Sequence, residues 1–365
     1  MSRRTVFLIA AIIVTAIPLA GCPPKVVYND VSPDYQLTFP EDHYAHTGYR
    51  VEWWYFTGHL ESESGDKYGF ELVFFKKRSE GDFRLGLPVW WFQNPAYVAH
   101  FAVTDLSKRS FQYSERIGVN KPLRGGASTD KLVIWNEDWS AMEMGDTWYL
   151  NAAMPGYAMD LFVQSNKPPV MHGENGYSQK SEQGGASYYV SLTSLAVQGI
   201  LEVDGTPLAV TGKAWMDHEV LSAEASQNII GWDWFSIQLD NDHELMLFTV
   251  RTEDGSIDPY SSGTIVFPDG TYEHFYSDHF EIRNLSYWTS TESRVTYPSS
   301  WKVSVPEYDI NLTLLPVLGD QELRPWMTQI IYWEGAVEVQ GTFMDETVTG
   351  EGYVELSGYH KPIRL

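Results

Sequence analysis

Short apolar and aromatic runs, each closed off by Gly, Pro, Asn or Asp, recur along this chain, and no long stretch keeps the 3.6-residue apolar spacing of an amphipathic helix. The runs Val51 to Leu60, Tyr68 to Phe75, Tyr97 to Val103, Tyr188 to Val197 and Trp234 to Leu239 have the length and composition of strands. Two hairpins are explicit. Gly199 to Gly212 should turn at Asp204-Gly205, and Gly263 to Phe275 at Asp269-Gly270, because glycine tolerates the positive φ of a tight turn. An all-β fold with few short helices is expected, and chains rich in hairpins close into barrels or sandwiches that hide their edges.

The same fold must stand without a disulfide. The one cysteine, Cys22, ends the lipobox Leu19-Ala20-Gly21-Cys22, behind Arg3, Arg4 and an apolar run from Val6 to Ala16. That order of charge, hydrophobe and small residues is the grammar of a bacterial lipoprotein signal, and the run is too short for a permanent transmembrane helix. Residues 1–21 are expected to be removed and Cys22 to carry lipid as the lipidation site. Pro23 after the cysteine suits the outer membrane, so the expected place is the cell envelope, anchored at the outer membrane and facing the periplasm. Residues 22–46, with several Pro and Tyr, read as a tether. Stability must come from the core, and 43% hydrophobic residues in a chain of 365 provide one.

Charge removes one class of partner. A formal net charge of −23 repels phosphate polymers and anionic head groups, so nucleic-acid binding is not expected. Membrane attachment should rest on the Cys22 lipid. Other chemistries lack their motifs. There is no Gly-x-Ser-x-Gly elbow, no His-x-His or His-Glu-x-x-His pair and no Gly-rich phosphate loop, so no metal site and no cofactor is expected. The stretch from Gly173 to Ala186 reads as a long loop, able to act as a lid. His59 and His100 are placed where they could meet across strands.

Four segments together carry a family resemblance: Arg50 to Gly58 (Arg-Val-Glu-Trp-Trp-Tyr-Phe-Thr-Gly), Ala99 to Asp105, His172 to Ser178 and Gly212 to Glu219. With Gly231 to Leu239 and Gly350 to Tyr359 in the second half, the chain resembles the carotenoid 1,2-hydratase and AttH-like lipocalin family. The resemblance implies two consecutive lipocalin-like antiparallel β-barrel domains facing one another across a cleft. We place them at residues 47–219 and 220–365. The family holds pigment hydratases, fungal pericyclases and proteins associated with export systems.

Strand alternation says which side chains could meet. Glu52, Trp54 and Phe56 share one face, Trp53 and Tyr55 the other; Trp215, Asp217 and Glu219 point one way, Met216 and His218 the other. In Trp232 to Leu239 the row Phe235, Ile237, Leu239 is apolar, and Trp232, Trp234, Ser236 and Gln238 lie opposite. The expected ligand-binding residues are Trp54, Tyr55, His100, Trp215, Trp232, Trp234 and Gln238. The alternative for the tryptophans is ordinary barrel filling, with Ser236 and Gln238 in solvent. The candidate catalytic set is Asp217, then Asp233, with Glu219 and His218; the alternative is a structural network in which Asp217 and Glu219 accept backbone N–H groups at the turn between the domains. A carboxyl held against an indole is desolvated and becomes a proton donor near neutrality, able to protonate an alkene whose cation the aromatic faces stabilise. Two functions follow. Envelope anchoring favours a protein that binds or hands on a long apolar ligand, a lipid or isoprenoid, beside an ABC-type export system. The alternative is a hydratase, a lyase adding water to an isoprenoid or carotenoid double bond.

Overall fold

The computed structural model describes residues 27–78, 83–84, 87–88, 95–119, 124–182, 184–222 and 228–363. Cys22 and its lipobox lie outside the described residues, as does most of the 222–228 stretch between the halves. Helical structure among the described residues is confined to short 3-10 turns such as Glu41–His43 and Pro306–Tyr308. Everything else of regular structure is antiparallel strand.

Nine strands carry the argument: β1 (Val51–Ser62), β2 (Lys67–Lys77), β3 (Ala96–Asp105), β4 (Ala186–Val203), β5 (Thr206–Leu221), β6 (Ile229–Leu239), β7 (Glu244–Thr252), β8 (Tyr332–Phe343) and β9 (Glu346–Leu356). In the first sheet β3, β2, β1, β5 and β4 are neighbours in that order, with Ser110–Val119 beyond β3 and Tyr157–Ser165 beyond β4. The sheet curls round on itself. Asn136, from one end, donates to the carbonyls of Tyr97 and Arg116 at the other, both at 3.1 Å. In the second sheet the order is β7, β6, β9, β8, and its two ends, Tyr272–Tyr276 and Glu281–Thr289, are joined by a single 3-10 turn. The fold is thus two barrel-like antiparallel sheets in succession.

The turn chemistry is as the sequence demands. Asp204 (φ 50°) and Gly205 (φ 78°) are both left-handed between β4 and β5, the geometry that lets a two-residue turn match strand twist. Gly270 (φ 83°) closes the second hairpin. Each barrel has its own core. Trp54, Phe56, Phe70, Phe101 and Trp139 fill the first, and Phe235, Ile237, Trp301, Leu312 and Val354 the second. A third apolar cluster joins Tyr55, Val73, Tyr189 and Trp215 to Trp234, Met246, Phe248 and Tyr353, and so lies between the barrels.

Two expectations need correction here. The lead before β1, expected as a tether, is packed from Val31 onward: Val31 sits with Tyr188 and Val220, and His43 O accepts the Trp54 indole N–H at 3.0 Å. The Gly173 to Ala186 stretch is not a long loop, because Tyr177–Gln179 forms a strand paired with Tyr188 to Ala186. Its small polar residues hid a short edge strand.

Candidate active site between the barrels

The site follows from register. Tyr55 on β1 lies opposite Asp217 on β5 and opposite Val73 on β2, and Val73 lies opposite His100 on β3. Paired residues share a sheet face, so Asp217, Tyr55, Val73 and His100 form one row across the outside of the first barrel. On the second barrel Trp234 (β6) lies opposite Phe248 (β7) and Glu355 (β9), and Glu355 opposite Glu334 (β8). The two rows face each other. Tyr55 meets Trp234 edge-on at 5.2 Å and donates its hydroxyl to Glu334, while the Trp234 indole N–H reaches the Tyr189 hydroxyl at 2.8 Å.

Where the rows diverge they leave a cavity of about 390 Å³, within the range of small-molecule pockets. Trp53, Tyr55 and Phe75 from the first barrel and Trp232, Trp234 and Phe248 from the second make its aromatic walls. Asp217, Glu219 and Glu355 are its carboxyls, and Lys77, His100, Lys180, His360 and Lys361 its basic groups. The segment 329–331, Tyr332 at the start of β8 and the stretch 360–363 contribute to the lining.

Asp217 is held by uncharged donors only. The Tyr189 hydroxyl and the Trp215 indole N–H reach it at 2.6 Å each, and the Ser191 hydroxyl also donates to it. Burial lifts its carboxyl to about 7 despite those three donors, which favour the anion, and neighbouring Glu219 adds to the rise. Glu355 is also lifted to about 7, first by burial and then by Asp217 and Glu219, against the lowering hydrogen bonds from Ser357 and Trp232. Behind the cavity wall Glu71 is raised to about 8 by burial, and Glu334 well above its usual range by burial and by Glu71 and Glu355. The site therefore concentrates carboxyls that hold protons near neutrality.

The structure divides the expected residues into two groups. Tyr55, His100, Trp232, Trp234, Asp217 and Glu219 line the cavity, and Trp215 lies directly beneath, bonded to Asp217. Trp54 does not. It is fully buried inside the first barrel, stacked on His218 with ring centres 4.8 Å apart. His218 likewise points inward, its Nε2 3.0 Å from Glu52, because consecutive strand residues face opposite ways. Asp233 shares the inward parity of Phe235 and is occupied by Arg251 at 3.1 Å and the Tyr359 hydroxyl at 2.9 Å. Gln238 is neither ligand-facing nor in solvent; its amide N–H₂ donates to Thr193 O at 2.6 Å and Ala214 O at 2.9 Å, tying the barrels together. Glu219 lines the cavity in an ion pair with Lys180 at 2.6 Å. His59 and His100 are apart: His59 bonds Gly352 O at 2.9 Å, and His100 the Tyr332 hydroxyl at 2.6 Å.

Among the described residues one cluster has donor types that could hold a metal. His46, Glu52 and His218 bring ligand atoms within 4.8 Å of one another. The group is already matched internally, since Lys76 Nζ pairs with Glu52 and both His46 nitrogens are engaged, by Asp42 and Glu52 at 2.9 Å each. A dication there would face an ammonium group, so the set fits a structural ion network better than a metal centre.

Missed by sequence reasoning were Glu355, Glu334, Glu71, Tyr189 and Phe248. Parity with Val354 and Leu356 turns Glu355 out of its own barrel, which in a lone barrel means solvent. The second barrel's partner surface is what makes that direction a cleft.

Comparison with known proteins agrees with this architecture. Residues 30–359 match the AttH-like family. A presumed AttH from Nitrosomonas europaea shares 30% identity over 91% of this chain and 99% of its own, with a TM-score of 0.80. Kievitone hydratase from Nectria haematococca has the same fold at 15% identity, with a TM-score of 0.70 over 92% of this chain and 98% of its own. The protein CghA is more distant, at 11% identity and a TM-score of 0.53, covering 91% of this chain and 96% of its own. No curated protein sequence matches the chain.

Proposed function

The chain belongs to the AttH-like family, and from that premise and the cleft we propose that it adds water to a carbon–carbon double bond of an apolar, isoprenoid-like ligand. The observation that carries this reading is Asp217: a carboxyl lifted to about 7, facing an aromatic cavity of about 390 Å³. Such an acid is protonated often enough at neutrality to donate, and strong enough to be worth using. Trp232, Trp234 and Phe248 offer the π-faces that stabilise a carbocation.

Sequence reasoning alone ranks binding above catalysis; we place catalysis first on the strength of the cleft's carboxyls. A protein that only holds an apolar ligand gains nothing from burying proton-bearing carboxyls, whose desolvation costs stability. The hydratase named among its structural neighbours is consistent with this reading. Attachment to the envelope through a lipid on Cys22, and handing on of the ligand beside an ABC-type exporter, belong to the same proposal. Cys22→Ser should release soluble protein or leave an unprocessed precursor; processed protein that still sediments with outer membranes after a salt wash would remove the anchor.

The test is a mass assay. Wild-type protein incubated with geranylgeraniol or lycopene in detergent micelles should yield product heavier by one water, with the oxygen labelled from ¹⁸O-water. Tight binding without any water addition would return the protein to the carrier class.

A further inference from the structure

Asp217 alone completes only half of a hydration. Protonating the alkene uses its π-electron pair to form a C–H bond and leaves a cation, and water must then lose a proton as its oxygen closes the C–O bond. For water to attack the face opposite the acid, the group that receives that proton must lie across the ligand from Asp217, and the register places one carboxyl there. In the second barrel's row Glu355 stands between Trp234 and Glu334. Both neighbours touch Tyr55, Trp234 by ring contact and Glu334 by hydrogen bond, and Tyr55 is the cross-strand partner of Asp217. Glu355 therefore looks across the cleft at the Asp217 and Tyr55 pair.

The other acids near the cavity are committed elsewhere. Glu219 is paired with Lys180 at 2.6 Å and accepts the Ser187 hydroxyl at 2.5 Å. Glu334 and Glu71 are sealed from the cavity, Glu334 by the Tyr55 hydroxyl and Glu71 by that of Tyr332, 3.0 Å away. Glu355 is only half-buried and lines the cavity, held by the Ser357 hydroxyl at 2.5 Å and by the indole of Trp232, itself a cavity wall.

Resting on the hydratase reading, we propose that Glu355 is the general base that positions the attacking water and takes its proton. Asp217 gives H⁺ to the less substituted carbon and becomes a carboxylate. Water then adds to the tertiary cation, and Glu355 accepts the released proton. Alkene and water become a tertiary alcohol with no change in total protons; the acid and base are restored by exchange with solvent. The reaction starts with Asp217 protonated and Glu355 ionised, each suited to one role by the face of the ligand it meets. The substrate class follows: an alkene that gives a tertiary cation, bound between the rows with one face to each barrel.

The experiment separates the two halves of the reaction in D₂O with geranylgeraniol in micelles. Wild-type protein should give deuterated alcohol. Glu355→Gln should lose alcohol formation by about 10²-fold yet continue to place deuterium in recovered or isomerised alkene, because the cation still forms and collapses by losing a proton. Asp217→Asn should lose both products. If Glu355→Gln does not fold, Glu355→Asp keeps the carboxyl but withdraws it by one methylene, and should shift the same partition from alcohol toward deuterated alkene. Alcohol formed by Glu355→Gln at the wild-type rate overturns the role of Glu355 and leaves the hydratase reading standing. Wild-type protein that yields neither alcohol nor deuterated alkene overturns the hydratase reading itself, and this inference with it.

Discussion

Glu52 and Asp217 are both buried carboxyls on strands that pair with each other, β1 and β5, and they sit on opposite faces of that sheet. Glu52 points into the first barrel and meets charge: Lys76, His218 and His46 together hold it well below the usual range, overriding the effect of burial. Asp217 points outward and meets three neutral donors, so burial wins and its carboxyl rises to about 7. At Asp217 three neutral hydrogen bonds leave burial the larger effect, whereas at Glu52 a lysine and two histidines together outweigh it. The first carboxyl is a piece of the fold. The second keeps a usable proton.

The largest way to break that contrast is Glu52→Ala. It strands Lys76, whose side chain is 3% exposed, without its carboxylate, and should cost about 3 to 5 kcal/mol in urea unfolding. A loss near zero would mean that Lys76 finds another partner, and the distinction between the two carboxyls would collapse. Asp217→Asn should behave differently. It keeps the size of the side chain and two of its acceptor roles, so the stability change is about 1 kcal/mol, while hydration falls by about 10²-fold or more. Equal damage to folding from both substitutions would make Asp217 structural as well.

The same face-by-face logic explains what could be read from the chain. Alternation correctly put Phe235, Ile237 and Leu239 in a core and Tyr55, Asp217, Trp232 and Trp234 on a second surface. It also separates Asp217 from His218, although adjacency in sequence suggests one ionisable cluster. What it cannot supply is the identity of the surface opposite. Glu355 and Glu71 face outward from their own barrels, and only the docking of one barrel on the other turns that direction into an interior. Trp54 shows the reverse: a tryptophan beside cleft residues in sequence is one step out of phase and becomes core filling. Turns and strands depend on local residues, whereas the cleft depends on contacts between positions hundreds of residues apart, such as Tyr55 with Glu334.

Gln238 tests the surface between the two regions. Its amide satisfies the carbonyls of Thr193 and Ala214 from the first barrel, both otherwise aimed at the interface. Gln238→Ala should cost about 1 to 3 kcal/mol by leaving them unsatisfied, below the roughly 3 to 5 kcal/mol expected for Phe235→Ala in the second core. A Gln238→Ala melt indistinguishable from wild type would mean that the barrels are not locked at this point.

The smallest effect separates the two carboxyls by pH. Asp217 is raised in the fold, from 3.8 to about 7, so its contribution to stability is fully present below pH 4 and lost as pH rises through 7. Glu355 and Glu244, also lifted to about 7, Glu71 at about 8 and His46, raised to about 9 by Asp42 and Glu52 against its burial, act in the same direction. Glu52 is lowered, so its contribution is intact above pH 4.5 and does not change in this range. Stability should therefore increase as pH falls from 9 to 6.5, before the buried neutral His43, His172 and His274 begin to oppose it. Between pH 8 and 6.5 the share of Asp217 is about 0.5 to 1 kcal/mol. Asp217→Asn should flatten the slope of unfolding free energy against pH by that amount, while Glu52→Gln should lower the curve and remove only the part of the slope that His46 owes to Glu52, leaving the Asp217 share in place. A wild-type curve that is level from pH 9 to 6.5 would mean that Asp217 is ionised throughout, and the difference between the two carboxyls would be one of position alone.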